Sequence, residues 1–210
     1  MPSPLRPAAL LAALLAALPA AAQDRPPSHP TRDVTVTYRA PDQGGAVRLS
    51  ALAARGLLRI DLPGEQGWMV SDARGGGFLV LPQQRMVMDI APGQDGTLRH
   101  LLPSAAARFQ REGSDRVAET PCTVWRVEDR GARARLCITA DGIPLRAEPI
   151  GRAGGRIEAT AVTHAAQDAA RFERPAGFAR FAMPAGVPGP VPGLTRGTAL
   201  PPPGLALPPG

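Results

Sequence analysis

Hydrophobic and polar residues alternate over much of this chain. Val34, Val36 and Tyr38 are interleaved with Thr35 and Thr37, the period-two pattern of a strand with one buried face. The pattern recurs at residues 47–50 and 58–62, and further strand-length segments follow at 68–72, 78–81 and 85–90. Turn formers punctuate it at Pro63-Gly64, at Arg74-Gly75-Gly76-Gly77 and at Pro82-Gln83. After a break at 91–99, residues 103–112 are the helix candidate. Ser104 is placed to cap it, its alanines favour it, and Leu101, Ala105 and Phe109 share a face. Strands return at 117–127, 133–139, 145–150 and 156–162, separated by Asp129-Arg130-Gly131, Asp141-Gly142 and Gly154-Gly155. Phe172, Pro175, Gly177 and Phe178 read as a closing segment that packs aromatics on the sheet. Short strands joined by tight turns predict an antiparallel sheet, not a βαβ fold.

The two ends lack this pattern. Arg6 precedes an Ala/Leu run over residues 8–18, broken by Pro19 and followed by Ala20-Ala21-Ala22. A basic start, a short apolar stretch and an A-x-A end predict a signal peptide over 1–22, cleaved near Ala22. The run is shorter than the ~20 residues a membrane span needs. The expected location is therefore the periplasm or the medium, with no transmembrane segment. Residues 23–32, with Pro26, Pro27 and Pro30, read as a flexible leader; 33–183 as one β-rich domain; 184–210 as a disordered Pro/Gly-rich tail.

Net charge is +6, and every cation is arginine, since the chain has no lysine. Arg48, Arg55, Arg59, Arg74 and Arg85 are scattered among apolar residues, as on the wet side of strands. No basic run interleaved with aromatics points to nucleic acid.

Two cysteines in an exported protein are expected to pair. If Cys122 faces Cys137, hairpin partners sum to 259, Glu128 faces Gly131, and Asp129-Arg130 form a two-residue loop. Such a bridge stabilises by roughly 3 kcal/mol in the chain-entropy picture.

No catalytic signature stands out. His29, His100 and His164 are not spaced to put two metal ligands on one face, and there is no nucleophile elbow, phosphate loop or dinucleotide fingerprint. No cofactor or metal is implied. Asp61, Asp72 and Asp89 lie near strand ends or on alternating faces, and a glycosidase-like carboxylate pair is left open.

At Gly67-Trp68-Met69-Val70-Ser71-Asp72-Ala73-Arg74 and Gln84-Arg85-Met86-Val87-Met88 the chain resembles a family of exported bacterial proteins of unknown function. Leu58-Arg59-Ile60-Asp61, Cys122-Thr123-Val124-Trp125 and residues 136–146 fit the same pattern. That family is similar to the periplasmic lipoprotein carriers LolA and LolB, and the likeness covers residues 33–180. It implies an incomplete, strongly curved antiparallel β-barrel with a helical lid over an apolar cavity. It supplies no catalytic residues.

The expected fold is thus mostly β (α+β): a curved antiparallel sheet or incomplete barrel, LolA/LolB-like, with at least one helix against the concave face. The expected function is non-enzymatic binding of a lipid, an acyl chain, a lipidated protein or another apolar ligand. Val70, Leu79, Leu81, Met86, Met88, Trp125 and Leu136 are candidates for the wall, with Arg59 and Arg85 placed to meet a headgroup. Methionine suits such a wall, being flexible and polarizable. The alternative is an envelope-associated structural or interaction module whose same residues fill a core. A continuous apolar cavity of a few hundred Å³ would separate the two.

Overall fold

The computed structural model describes residues 25–40, 45–92, 102–151 and 155–182. The expected signal peptide and Pro/Gly-rich tail lie outside these residues, as does His100. The described residues form one open, curved sheet of twelve strands: β1 Val34–Ala40, β2 Gly45–Leu52, β3 Leu57–Asp61, β4 Trp68–Ser71, β5 Gly77–Leu81, β6 Met86–Ile90, β7 Arg108–Val117, β8 Thr120–Asp129, β9 Ala132–Ile138, β10 Pro144–Pro149, β11 Ile157–Thr163 and β12 Ala179–Ala182. Their order is β12-β6-β5-β4-β3-β2-β1-β11-β10-β9-β8-β7. Two antiparallel meanders, β1–β6 and β7–β11, therefore join side by side through β1 and β11, as the short strands and tight turns require. β12 adds in parallel to the outer edge of β6, with Phe181 opposite Met88.

The expected helix over 103–112 does not form. Residues 105–106 are a turn, and Arg108 onward is the edge strand β7. Ser104 caps nothing; its backbone N–H and hydroxyl both donate to the Asp129 carboxylate, at 2.9 and 2.6 Å. The ladder with β8 satisfies the backbone of the segment, and this tertiary pairing overrides local helix propensity. Phe109 turns in to meet Trp125 edge-on, with ring centroids 5.9 Å apart. Among the described residues the helical segments are single 3-10 turns of three or four residues.

The disulfide joins Cys122 and Cys137, with Cα atoms 5.4 Å apart. The hairpin register differs from the expected one. Val124, not Cys122, faces Cys137, and Asp129 faces Ala132, so Arg130 and Gly131 make the loop. Both loop residues have positive φ, 49° and 78°, as a type I′ turn demands, and Gly131 supplies the second at no steric cost. The bridge thus runs diagonally, two residues out of register, on one face of β8–β9.

β7 is an exposed edge, blunted by charge. Glu112 accepts from Arg126 and Arg135 at 2.6 and 2.8 Å, and these bonds hold its carboxyl below the usual range. Asp115 pairs with Arg146 at 2.6 Å, which lowers it likewise.

The chain from β11 to β12 crosses the sheet. Asp33 anchors its start, accepting from the Gln167 N–H at 2.9 Å. The Asp168 side chain caps the short turn Ala169–Phe172. Phe172 then inserts among Val70, Phe78, Val80 and Val87. Arg174 reaches Asp89 at 2.6 Å, and the Arg85 carbonyl accepts from the Ala179 N–H at 2.9 Å, seating β12.

Candidate functional site

Residues paired directly across strands point to the same face. Met88, Leu79, Met69, Ile60, Leu49 and Val36 are successive partners from β6 to β1. Tyr38 continues this face, opposite Ala159 on β11. Two residues along that strand, Ile157 faces Ala147, then Leu136, then Trp125 on β8. One apolar face therefore runs unbroken over ten strands.

That face is the concave one. β4 and β8 are seven positions apart in the sheet, about 34 Å if it were flat at ~4.8 Å per strand. Yet the β4–β5 turn (Ser71, Asp72, Arg74, Gly75) and the β8–β9 turn (Asp129, Arg130) line a single cleft of about 680 Å³. Two segments complete its wall. One is residues 102–106, whose Leu102 packs against both apolar clusters of the face. The other is the leader. From Arg25 onward it lies on the domain: Thr31 N–H donates to the Asp141 carbonyl at 2.9 Å, and Arg25 stacks 5.2 Å from the Phe109 ring centre while bonding the Ala105 carbonyl at 3.3 Å. A Cβ on Gly142 would stand 2.7 Å from the His29 carbonyl oxygen, so the absence of a side chain there admits the leader. His29 lines the cleft, and burial lowers its pKa against the opposing pull of Asp72.

Of the wall candidates, Leu79, Leu81, Met86, Met88, Trp125 and Leu136 share the concave face. The first four belong to its larger cluster, the last two to a neighbouring one. Val70 faces the other way, with Phe78, Val80 and Phe172. Arg85, in the β5–β6 turn, bonds the Gly177 carbonyl at 3.3 Å and stacks on Phe178, on the route to β12. Arg59 also lies on the convex face, where its guanidinium sits 4.5 Å from the Trp68 ring centre and forks onto Asp61 at 2.6 and 2.7 Å. The concave face thus gathers the apolar candidates but neither arginine. Leu102 and the leader's contribution were missed in the sequence because irregular segments carry no periodicity.

The three carboxylates considered from sequence are all engaged. Asp61 takes Arg59 and Arg171, Asp72 accepts the Arg74 and Gly76 N–H groups, and Asp89 takes Arg174 and Arg180.

No protein-family model matches the chain, and no curated protein matches it. Among solved structures it is similar to an uncharacterized conserved protein from Thermus thermophilus, at 18% identity and a TM-score of 0.53, over 73% of this chain and 91% of that one. It is also similar to the Pseudomonas aeruginosa MucA/MucB complex structure, at 18% identity and a TM-score of 0.42, over 69% of this chain and 56% of that chain. A putative outer membrane lipoprotein-sorting protein domain from Vibrio parahaemolyticus matches at 12% identity and a TM-score of 0.34, over 67% of this chain and 87% of that one. At 18% identity the first of these likenesses is one of fold alone; the described chain itself is mostly β, one large, open, curved sheet.

Proposed function

We propose that the protein is an exported, non-enzymatic binding module that takes a lipid, an acyl chain or another apolar ligand against the concave face of its sheet. One observation carries this reading: the apolar face crosses ten strands and is covered partly by segments with no helix or strand of their own, residues 102–107 and the leader. Such segments open at lower free-energy cost than ladder-bonded strands, so the cover is the natural entrance. Met86 and Met88 add an adaptable surface beside Leu79 and Leu81.

The filled-core interaction module is the second reading, and it too has its observation. Leu49, Leu79 and Leu136 are only 1–3% exposed, so the face is closed in this state. Native mass spectrometry of protein purified from the periplasm, followed by lipid extraction, separates the two. Co-purifying lipid near one per protein, lost in Met86→Trp, is expected. A clean apo mass that does not shift when fatty acids or phospholipids are added sinks the apolar-ligand reading and leaves the interaction module.

A further inference from the structure

The convex face carries a second cleft, of about 490 Å³, with a different chemistry. Its wall includes Arg48, Arg59 and Arg171 against only Asp61 and Glu65, an excess of one positive charge. Three separate segments supply its arginines. β2 and β3 place Arg48 directly across from Asp61, and Ser50 across from Arg59. The β11–β12 crossing delivers Arg171, whose neighbour Phe172 is locked in the apolar cluster beneath.

The three arginines are not equivalent. Arg59 is held from all sides: it forks onto one Asp61 oxygen, donates to the Arg171 carbonyl at 2.5 Å and lies over Trp68. Arg171 bridges the other Asp61 oxygen at 3.4 Å and Gln167 at 3.3 Å. One carboxylate is thus shared by two guanidinium groups. Arg48 is exposed, and its guanidinium has no hydrogen-bond or ion-pair partner among the described residues, although its cross-strand neighbour is an aspartate. Asp61 is already consumed, and an unspent guanidinium fork stands at the wall of a pre-organised cationic cleft.

We propose that this cleft is a binding site for a phosphate-bearing small molecule, with Arg48 as its anchor. A guanidinium matches two phosphate oxygens at once, and a shared carboxylate behind it fixes the neighbouring charges without neutralising them. The cleft has room for a phosphate together with an attached glycerol- or sugar-sized group. The site faces away from the apolar wall, so it stands whether or not that wall takes a ligand. The same chemistry is offered by a soluble phosphoester and by a phospholipid headgroup.

Calorimetric titration of the purified protein with glycerol 3-phosphate, and sedimentation with phosphatidylglycerol vesicles against phosphatidylcholine vesicles, tests it. Binding of at least one phosphate probe is expected, weakening with salt. Arg48→Gln is expected to weaken it about tenfold or more, whereas Arg55→Gln, whose residue pairs with Glu173 outside the cleft, leaves it unchanged. Binding of glycerol 3-phosphate identifies a soluble ligand; binding only to phosphatidylglycerol vesicles identifies a headgroup. No binding of either probe by the folded protein, or unchanged binding in Arg48→Gln, overturns the proposal. Met86→Trp, on the opposite face, must leave this binding intact, so failure here and failure of the apolar-ligand reading are told apart.

Discussion

Tyr38 is the only tyrosine in the chain, and its hydroxyl donates to the Pro144 carbonyl at 2.6 Å inside the core. Burial pushes its pKa far above the ordinary value of 10. There is no lysine, and both cysteines are bridged, so Tyr38 is the one side chain whose unfolded-state pKa lies between about 9 and 12. The unfolded chain releases this proton near pH 10 and the folded one holds it. The raised pKa therefore contributes stability that is complete below pH 10 and is lost above it, at about 1.4 kcal/mol per pH unit. Urea unfolding from pH 9 to 11.5, with tyrosinate absorbance as a second probe, should show that slope. Tyr38→Phe should lose about 1–3 kcal/mol at neutral pH, leaving the carbonyl unpaired, and should show no alkaline slope over this window. A native phenol titrating near 10 would refute the argument. Alternation with Thr35 and Thr37 marks Tyr38 as an inward position in the sequence. Its acceptor, 106 residues away, is fixed only by the seam between the two meanders.

At the scale of elements, what was legible depended on the turns. Strands closed by Gly or Pro, such as β3 before Pro63-Gly64 and β5 after Gly75-Gly76, stand out in the sequence. The β7–β8 hairpin does not, and 117–127 reads as one strand. Its turn is Ala118-Glu119, with φ of 46° and 59°, a left-handed pair built without Gly, Asn or Asp. β7 was hidden a second way: Gln110, Arg111, Glu112, Ser114, Asp115 and Arg116 give an exposed edge strand no apolar alternation. Residues forced to positive φ store strain, so replacing Ala118-Glu119 by Asn-Gly should stabilise the protein by about 1 kcal/mol. A chain of this size should then melt ~2–4 °C higher. An unchanged or lower melting temperature would mean that the turn bears no strain. The concave wall was legible for a related reason. Strand geometry groups Leu79 with Leu81 and Met86 with Met88, but the run Phe78-Leu79-Val80-Leu81 is apolar on both sides, so the sequence does not say that Val70 pairs with Phe78 on the opposite face.

At the scale of the whole molecule, the convex face depends on one non-local segment. The β11–β12 crossing leaves the centre of the sheet, covers the convex face of β3–β6 and ends as a parallel edge strand. It makes no periodic pattern, so the sequence shows only its aromatics. Phe172 is its peg, 2% exposed among Val70, Phe78, Val80 and Val87. Removing that ring in Phe172→Ala should cost about 3–5 kcal/mol. The loss should be uneven. β12 hangs on β6 by four residue pairs and on the Arg85–Ala179 bond, so its amides should exchange with deuterium far faster in the variant. Arg171, one residue from the peg, should lose its place beside Asp61, and phosphate binding should weaken with it. The concave face has its own ladder from β1 to β6 and from β8 to β11, so any apolar ligand bound there should still co-purify. Protected β12 amides and undiminished phosphate affinity in the folded variant would show that the crossing rides on the sheet without holding either the edge strand or the cationic cleft.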